Sequence, residues 1–332
     1  MLQKYVGALP QGEIQSAAIA YVDRFQESSR AREPAAASIA RRYYELVTQF
    51  YERGWGESFH FAPLRKGEPL AIALRRYERD LGGRLGLSPG QKVLELGCGV
   101  GGPARHLAED FGVHVTGVTI VPYQVERARV LTRRAGLDDL CSFVVGDFNR
   151  LDDRSESFDA VYTIEACCHA EDRRRPFGEA FRVLRPGGCF SGYDWCLLPE
   201  FQAQDPEQLR LKEGIERGNG IAALRPSWDI VHALRDVGFE LELAGDWAAT
   251  ADPERPWYGP LQGGLSLTGL RNSRAGEAFS RLLIRVLQAL RLAPPGTDQV
   301  HDVLRLAQRS LVEAGRRRIF TPSFYWVARK PG

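Results

Sequence analysis

Residues 92–105 read KVLELGCGVGGPAR, and this stretch decides the fold. The segment 92–96 predicts a short strand, the glycines at 97, 99 and 102 predict a tight loop, and 104–111 predicts a helix. Glycines between a strand and a helix let the backbone turn sharply and approach a ligand closely. A ligand above this loop is therefore our first hypothesis, and a purely structural turn is the alternative.

Strands and helices alternate downstream of this loop. Further strands are predicted at 113–118, 141–145, 158–164 and 189–195, with helices at 123–134 and 176–184 and a turn at Pro186-Gly187-Gly188. Such alternation indicates a parallel sheet with crossover helices. Two later strands, at 239–243 and 324–328, complete a predicted α/β sheet.

Helical spacing of apolar residues predicts helices on both sides of this region. They are expected at 14–51, with a break at Pro34, and at 70–87, 228–237, 278–292 and 300–314, whereas 52–63 is predicted to be an aromatic loop. We therefore expect three regions. They are an N-terminal helical segment with an aromatic substrate loop (1–80), a cofactor-binding core (81–200) and a substrate-binding C-terminal region that includes the last two strands (201–332).

Composition excludes several classes of protein. The chain has 332 residues, of which 44% are hydrophobic and 26% charged, which is typical of a globular enzyme. We expect no secretory leader and no spanning helix. The net charge of +2 offers no electrostatic argument for nucleic acid. The six cysteines form no C-x-x-C pair, so we expect a reducing cytoplasm and neither a metal site nor disulfides.

Two residues favour one ligand over another. A dinucleotide site needs an acidic residue at the end of the second strand, where this chain has Thr119. Glu95 lies two residues before the first glycine, where a carboxylate would repel a pyrophosphate but attract a cation. S-adenosylmethionine carries a sulfonium and an ammonium group, so charge favours it over NAD.

The predicted cofactor contacts come from the ends of several strands. Asp147 could accept a hydrogen bond from an adenine amino group with Phe148 packed nearby, although an Asp in a turn is also common. The full set is Glu95, Gly97, Cys98, Gly99, Gly101, Thr119, Gln124, Asp147, Phe148 and Glu165.

Several motifs together resemble the sterol C24-methyltransferase family. Residues 94–105 (LELGCGVGGPAR) resemble its cofactor motif, and 51–61 (YERGWGESFHF) resemble its aromatic sterol-binding segment. Residues 164–170 (IEACCHA) and 193–195 (YDW) resemble two further signatures. The likeness extends from about residue 40 to the C-terminus.

The resemblance implies a fold and an activity. The fold is a class I methyltransferase, Rossmann-like, with a seven-stranded mixed sheet whose last strand is antiparallel. N-terminal helices and a helical insertion near the C-terminus would cover the substrate. The activity is C-methylation of the side-chain alkene of a sterol at C24, with S-adenosylmethionine as cofactor and a carbocation as intermediate.

This chemistry requires aromatic faces for a transient cation and one proton acceptor. The candidate substrate-binding rings are Tyr51, Trp55, Phe59, Phe61, Tyr193 and Trp195, some of which we expect to fill the core instead. The candidate catalytic residues are His169, Glu165, Tyr51 and His60. Each histidine has a core or helix-capping role as its alternative.

Other functions stay open at this point. The substrate is another isoprenoid, a different lipid or a small amine in one alternative, and a non-catalytic sterol-binding module is a second. An NAD oxidoreductase is disfavoured by Thr119 and Glu95. The helix predicted at 278–292 would pack on the sheet, line the pocket or rest on a membrane surface, and a homo-oligomer is compatible with the sequence.

Overall fold

The glycine loop follows the first strand of a seven-stranded sheet in the computed structural model. The model describes residues 9–10, 12–250, 252–262, 284, 286–288, 290 and 293–332. Most of the helix predicted at 278–292 therefore lies outside the described residues. The strands are β1 (Lys92–Leu96), β2 (His114–Thr119), β3 (Cys141–Val145), β4 (Phe158–Ile164), β5 (Leu184–Leu197), β6 (Glu240–Asp246) and β7 (Phe320–Arg329).

The sheet order is β3-β2-β1-β4-β5-β7-β6. Strands β1 to β5 pair in parallel, and β7 runs antiparallel to β6. The expected mixed sheet with an antiparallel last strand is thus confirmed. Because β1 to β5 share one direction, their carboxyl ends meet at one edge, which is where ligands bind in open α/β sheets.

Helices precede, connect and follow the strands along the chain. The described helices are α1 (Ile14–Arg24), α2 (Ser29–Arg32), α3 (Ala36–Trp55), α4 (Leu70–Leu85), α5 (Gly102–Phe111), α6 (Pro122–Ala135), α7 (Arg174–Val183), α8 (Pro206–Asn219), α9 (Ser227–Val237) and α10 (Thr297–Arg316). One apolar core joins the sheet to α4, α5 and α6, and the other joins it to α7 and α9. Neither core depends on a disulfide, since all six cysteines are free and buried.

Two local predictions were wrong. Residues 52–55, predicted as loop, continue α3, because Tyr51 and Trp55 stack one turn apart and the helix runs on to Gly56, whose φ is +80°. Pro186-Gly187-Gly188 lies inside β5 rather than before it. There the pairing with β4 jumps from Leu184 to Cys189, so these residues form a bulge.

Helix α8 was not predicted at all. Its sequence is mostly polar, so the hydrophobic pattern is weak. The signal lay at its start, where the Asp205 side chain accepts hydrogen bonds from the backbone N–H groups of Glu207 and Gln208, and Pro206 occupies the first helical position.

The chain divides into two compact units. A sheet unit contains residues 50–199, 224–257 and 321–332, and a helical unit contains 1–49, 200–223 and 258–320. Within the helical unit, Arg32 and Glu216 form a buried ion pair of 2.6 Å.

The three functional regions predicted from the sequence stay predictions. No helix within the described ranges is both long and apolar enough to cross a bilayer.

Candidate active site

The site is built at the carboxyl ends of the parallel strands of the sheet unit. Strand β1 ends in the glycine loop, β2 ends at Thr119, β3 is followed by Asp147, and β4 is followed by Glu165. These are the positions from which the sequence predicted the cofactor contacts. The topology therefore brings residues far apart in the chain to one edge of the sheet.

The glycine loop is packed closely by neighbouring segments. Gly97 has φ +80°, and a Cβ there would overlap the Cβ of Ala166 and come within 3.9 Å of the Phe148 ring. Gly99 has φ +52°, and the nearest neighbour of a Cβ there would be the Phe59 ring at 3.6 Å. The absence of a side chain at Gly97 thus allows Ala166 to pack against the loop, whereas Gly99 has more free space beside it.

Glu95 is a buried carboxyl group with an unsatisfied oxygen. Its side chain is 2% exposed, and Oε2 has no hydrogen-bond partner among the described residues. Burial raises its pKa to about 8. The Tyr162 hydroxyl and the charge of Arg105 oppose that rise. A buried carboxyl oxygen without a hydrogen-bond partner is unfavourable, and a cationic ligand would satisfy it. The site therefore fits the positively charged part of S-adenosylmethionine.

The other predicted cofactor residues divide into two groups. Thr119 Oγ1 donates a hydrogen bond to Gln124 Oε1 at 2.7 Å, and Asp147 Oδ1 accepts hydrogen bonds from the backbone and side chain of Asn149. Thr119 and Asp147 lie at the carboxyl ends of β2 and β3, and Gln124 lies in the first turn of helix α6 (Pro122–Ala135). Cys98 differs, because its side chain fills the space beside Gly117 inside the core. Only its backbone is then available to a ligand.

Five of the six predicted substrate rings form a continuous aromatic row. Tyr51 contacts Trp55 and Phe59 with ring centroids 5.4 and 5.5 Å apart, and Trp55 contacts Phe61 at 6.0 Å. Phe61 then contacts Trp195 at 5.9 Å. We call Tyr51, Trp55, Phe59, Phe61 and Trp195 the aromatic row. Tyr51, Trp55 and Phe59 are half-buried, so part of each ring surface is open to a ligand.

Tyr193 does not belong to this row. Its ring stacks on Tyr77 with centroids 3.9 Å apart, and its hydroxyl donates to the Tyr77 carbonyl oxygen. The ring also contacts Tyr325 and is fully buried. Tyr193 therefore fills the core, which was the expected alternative role for some of the six predicted rings.

Glu165 joins the aromatic row to the sheet. Its Oε1 accepts a hydrogen bond from the backbone N–H of Phe61 at 2.7 Å, and its Oε2 accepts one from Trp195 Nε1 at 2.6 Å. Burial raises its pKa to about 8, against the opposing effects of nearby His60 and the two donors. A carboxyl group with this pKa exchanges its proton near neutral pH.

Glu165 also has a strained backbone, with φ +51° in the left-handed region. Non-glycine residues in this region are uncommon and concentrate at functional sites. His169 follows in the short turn Cys167–His169 and is 8% exposed. Both residues therefore come from the segment after β4, as the sequence predicted.

Two residues of this region escaped sequence reasoning. Glu78 on α4 is fully buried and accepts hydrogen bonds from Ser58, His60 and His106. The sequence feature that could have identified Glu78 is its position on the apolar helix face formed by Leu74, Tyr77 and Leu81. Trp257 contacts Phe61 at 5.2 Å and extends the aromatic row, although it was not among the predicted rings.

Comparison with known proteins agrees with this architecture. The family model "Methyltransferase domain" matches residues 94–191, and "Sterol methyltransferase C-terminal" matches residues 267–332. A geranyl diphosphate C-methyltransferase from Streptomyces coelicolor A3(2), solved with geranyl diphosphate and S-adenosyl-L-homocysteine, shares the fold. Its TM-score is 0.64 at 16% identity, covering 90% of this chain and 98% of that one.

Two curated relatives are much more similar in sequence. Cycloartenol-C-24-methyltransferase of Arabidopsis thaliana is 43% identical over 294 residues, which is 88% of this chain and 87% of the relative. Sterol 24-C-methyltransferase of Yarrowia lipolytica is 42% identical over 303 residues, covering 89% and 79%. The resemblance inferred from the motifs is therefore confirmed, and the chain belongs to the S-adenosylmethionine-dependent sterol 24-C-methyltransferase family.

Proposed function

We propose that this chain methylates C24 of a sterol side-chain alkene through a carbocation, and that Glu165 accepts the proton released at the end. The observation that carries the proposal is the position of Glu165. Its carboxyl group is tied directly to Phe61 and Trp195 of the aromatic row. A proton acceptor and cation-stabilising rings are thus adjacent, as the reaction requires.

The cofactor would be held by residues at the ends of β1, β2 and β3. When bound, S-adenosylmethionine supplies an electrophilic methyl group on a positively charged sulfur. Glu95 would pair with the cationic part of the ligand, and the backbone at Gly99 would accommodate close approach. Thr119, Gln124 and Asp147 would hold the polar groups of the nucleoside.

The aromatic row would surround the sterol side chain. The π electrons of the alkene would form a bond to the methyl carbon as the bond between that carbon and sulfur breaks, and the sulfur would keep the electron pair and become a neutral thioether. A positive charge is then left on the neighbouring carbon of the side chain. Each ring face can stabilise such a charge by about 0.5–2 kcal/mol. A hydride shift moves the charge along the side chain, and loss of a proton to the enzyme then restores a double bond.

Two residues compete for the final proton transfer. Glu165 is our choice because its carboxyl oxygens are fixed in place and its pKa lies near the working pH. His169, buried in the turn that follows, is the alternative. The Tyr51 hydroxyl would assist in either case.

Substitution of each residue distinguishes the two assignments. Glu165→Gln should lower kcat by about 10²-fold or more, and His169→Ala should lower it less. Calorimetry should show that both variants still bind the cofactor. A Glu165→Gln enzyme with normal turnover would remove Glu165 from the proton transfer, and an unchanged His169→Ala enzyme would remove His169 from the site.

The substrate is tested by incubating the enzyme with labelled S-adenosylmethionine and a panel of lipids. We expect mass spectrometry to find label in sterols with a C24 double bond and none in the matching saturated sterols. Label in another isoprenoid or an amine would replace the sterol assignment. Sterol binding without any methyl transfer would indicate a non-catalytic module.

The carbocation is tested by a sterol analogue with a positive nitrogen at the cation position. A mimic of the charged intermediate should inhibit more strongly than its neutral counterpart. Equal inhibition by the two analogues would contradict a carbocation.

Peripheral membrane contact and self-association are also part of the proposal. Sterols reside in membranes, so the enzyme would need to reach a membrane surface for its substrate. Flotation with sterol-containing vesicles and light scattering of the free enzyme measure these two properties. Absence of vesicle binding would contradict the proposed membrane contact. A monomer at all concentrations would contradict the proposed self-association.

A further inference from the structure

A fully buried carboxylate connects the aromatic segment to two helices. Glu78 on α4 accepts hydrogen bonds from Ser58 Oγ at 2.6 Å and His60 Nε2 at 2.9 Å, and a third from His106 Nδ1 on α5. We call these four residues the Glu78 cluster. The pKa of Glu78 is lowered to about 2, because its hydrogen-bonded partners outweigh the effect of burial.

His60 has an acceptor at each ring nitrogen. Nε2 faces the Glu78 carboxylate, and Nδ1 lies 2.8 Å from the carbonyl oxygen of Phe61. A neutral imidazole has only one N–H, so it cannot donate to both acceptors. Because Glu78 is ionised, with its pKa lowered to about 2, the geometry favours the doubly protonated, positively charged ring. Such a ring has no free nitrogen with which to accept a proton.

The same chain of hydrogen bonds continues to the proposed proton acceptor. Phe61 receives the His60 hydrogen bond on its carbonyl oxygen, and its own N–H donates to Glu165 Oε1 at 2.7 Å. One residue thus separates the charged histidine from the Glu165 carboxyl group. His60 is 2% exposed and Glu165 is 7% exposed, so solvent screens little of the attraction between their charges.

We infer that His60 is a positioning residue rather than a proton acceptor: Glu78 holds it as a cation, which fixes the aromatic segment and favours the deprotonated form of Glu165. The inference rests on the proposed function, in which Glu165 takes the proton from the sterol cation. Glu78 is assigned to the same role, one step further from the substrate.

The surrounding charges agree with this assignment. Burial acts to lower the pKa of His60, but the hydrogen bond and charge of Glu78 reverse that effect, and Glu165 and the Phe61 carbonyl raise the pKa further. Glu95 on β1 and Glu165 after β4 are the other buried carboxyl groups coupled to His60. Tyr77 on α4 faces the ring at 6.0 Å and its burial raises its pKa, so it stays neutral.

The first test measures the protonation of His60 directly and needs no catalysis. Histidine labelled with ¹⁵N, with the His60 signals assigned by their absence from His60→Gln, should show two protonated ring nitrogens at neutral pH, where an ordinary histidine is mostly neutral. A single protonated ring nitrogen at neutral pH would overturn the inference. In Glu78→Gln the same signals should titrate.

The second test follows kcat against pH. The positive charge of His60 lowers the pKa of Glu165. In His60→Gln the acid limb of the kcat profile, where kcat rises with pH, should therefore move to higher pH by about one unit, which lowers kcat at neutral pH by about tenfold. His106→Gln is the matched control, because it removes the other histidine of the cluster but not the chain to Glu165. Its acid limb should stay in place.

These outcomes separate the inference from the proposed function. A Glu165→Gln enzyme that turns over normally would contradict the proposed function itself. If Glu165→Gln is inactive but His60→Gln keeps the wild-type acid limb, only the inference fails. Circular dichroism and cofactor calorimetry on each variant show whether it is folded, and the histidine spectra of the wild-type enzyme decide the question if a variant does not fold.

Discussion

The indole N–H of Trp195 donates a 2.6 Å hydrogen bond to Glu165 Oε2 and so joins the ends of β5 and β4. Trp195 is itself held by two buried residues. Asp194 Oδ1 accepts a hydrogen bond from the backbone N–H of Trp195, and Arg173 donates one to the carbonyl oxygen of Trp195. The orientation of the Glu165 carboxyl group is therefore set by an ion pair, Arg173 with Asp194, that is buried from solvent.

Trp195→Phe should distinguish the contribution of the indole hydrogen bond to activity from that of the aromatic ring. The variant keeps a ring in the aromatic row but removes a donor that stabilises the charged form of Glu165. We expect the pKa of Glu165 to rise and kcat at neutral pH to fall by about tenfold, which corresponds to one pKa unit. Trp228→Phe is the control, since Trp228 on α9 is 59% exposed. A normal rate in Trp195→Phe would show that the hydrogen bond does not matter.

Binding of the cofactor should release a proton from Glu95. In the free enzyme this carboxyl group has a pKa of about 8 and is mostly protonated at neutral pH. A cationic ligand favours the charged form and lowers that pKa. Calorimetry in two buffers of different ionisation enthalpy should therefore detect release of up to one proton. Glu95→Gln should release fewer protons than the wild-type enzyme, and equal release by the two proteins would contradict the predicted pairing.

The stability of the ligand-free enzyme should fall as pH rises toward about 8. Burial raises the pKa of both Glu95 and Glu165 from 4.5 to about 8, so the folded state binds more protons than the unfolded state between these values. That excess stabilises the fold at lower pH and is lost as pH rises through the folded pKa. Thermal melting across this range measures the slope, which should be shallower in Glu95→Gln. An equal slope in both proteins would show that Glu95 does not titrate there.

Alanine at two glycines of the loop should have different effects. In Gly97→Ala the new methyl group would overlap Ala166 at a positive φ, so we expect a lower melting temperature together with weaker cofactor binding. In Gly99→Ala the nearest protein atom is 3.6 Å away, so the backbone cost should be about 1 kcal/mol. Cofactor affinity should fall in Gly99→Ala more than stability does. Normal affinity there would place the ligand elsewhere.

The helical unit provides a test of stability alone. Arg32 is 4% exposed, and its guanidinium pairs with the fully buried Glu216. Arg32→Met should lower the free energy of unfolding by about 1.5–3 kcal/mol, because Glu216 loses its buried guanidinium partner while it keeps hydrogen bonds from Lys212 and Ser29. Arg41→Met, which breaks the partly exposed pair with Glu45, should cost less than about 1 kcal/mol. Denaturant unfolding of the two variants gives the comparison, and similar costs would contradict it.

Sequence reasoning succeeded where the chemistry is local. The strand-loop-helix at 92–111, the alternation that follows it and the family were all predicted and are confirmed. Proximity of Glu165 to the glycine loop followed from the rule that parallel strands end at one edge. The predicted roles of the site residues stay predictions.

Long-range side-chain contacts were beyond the sequence pattern. Nothing in the segment 57–62 indicates that His60 meets a carboxylate eighteen residues away on α4. Glu78 looked like one of many charged residues of a helix, and its burial depends on three partners from two other segments. The bulge in β5 likewise depends on the pairing with β4 and not on the Pro-Gly-Gly sequence alone.

The close approach of the aromatic segment to the glycine loop has a consequence for how substrate range can change. The backbone of Glu57 fills the space beside Gly102, Phe59 covers Gly99, and Glu57 pairs with Arg105 on α5 at 2.6 Å. In the proposed assignment of the site, the wall facing the lipid and the cradle of the methyl donor are thus one piece of structure. Mutations that broaden the range of accepted lipids by reshaping this wall will shift the Michaelis constant for the donor as well, so selection cannot adjust the two affinities independently here.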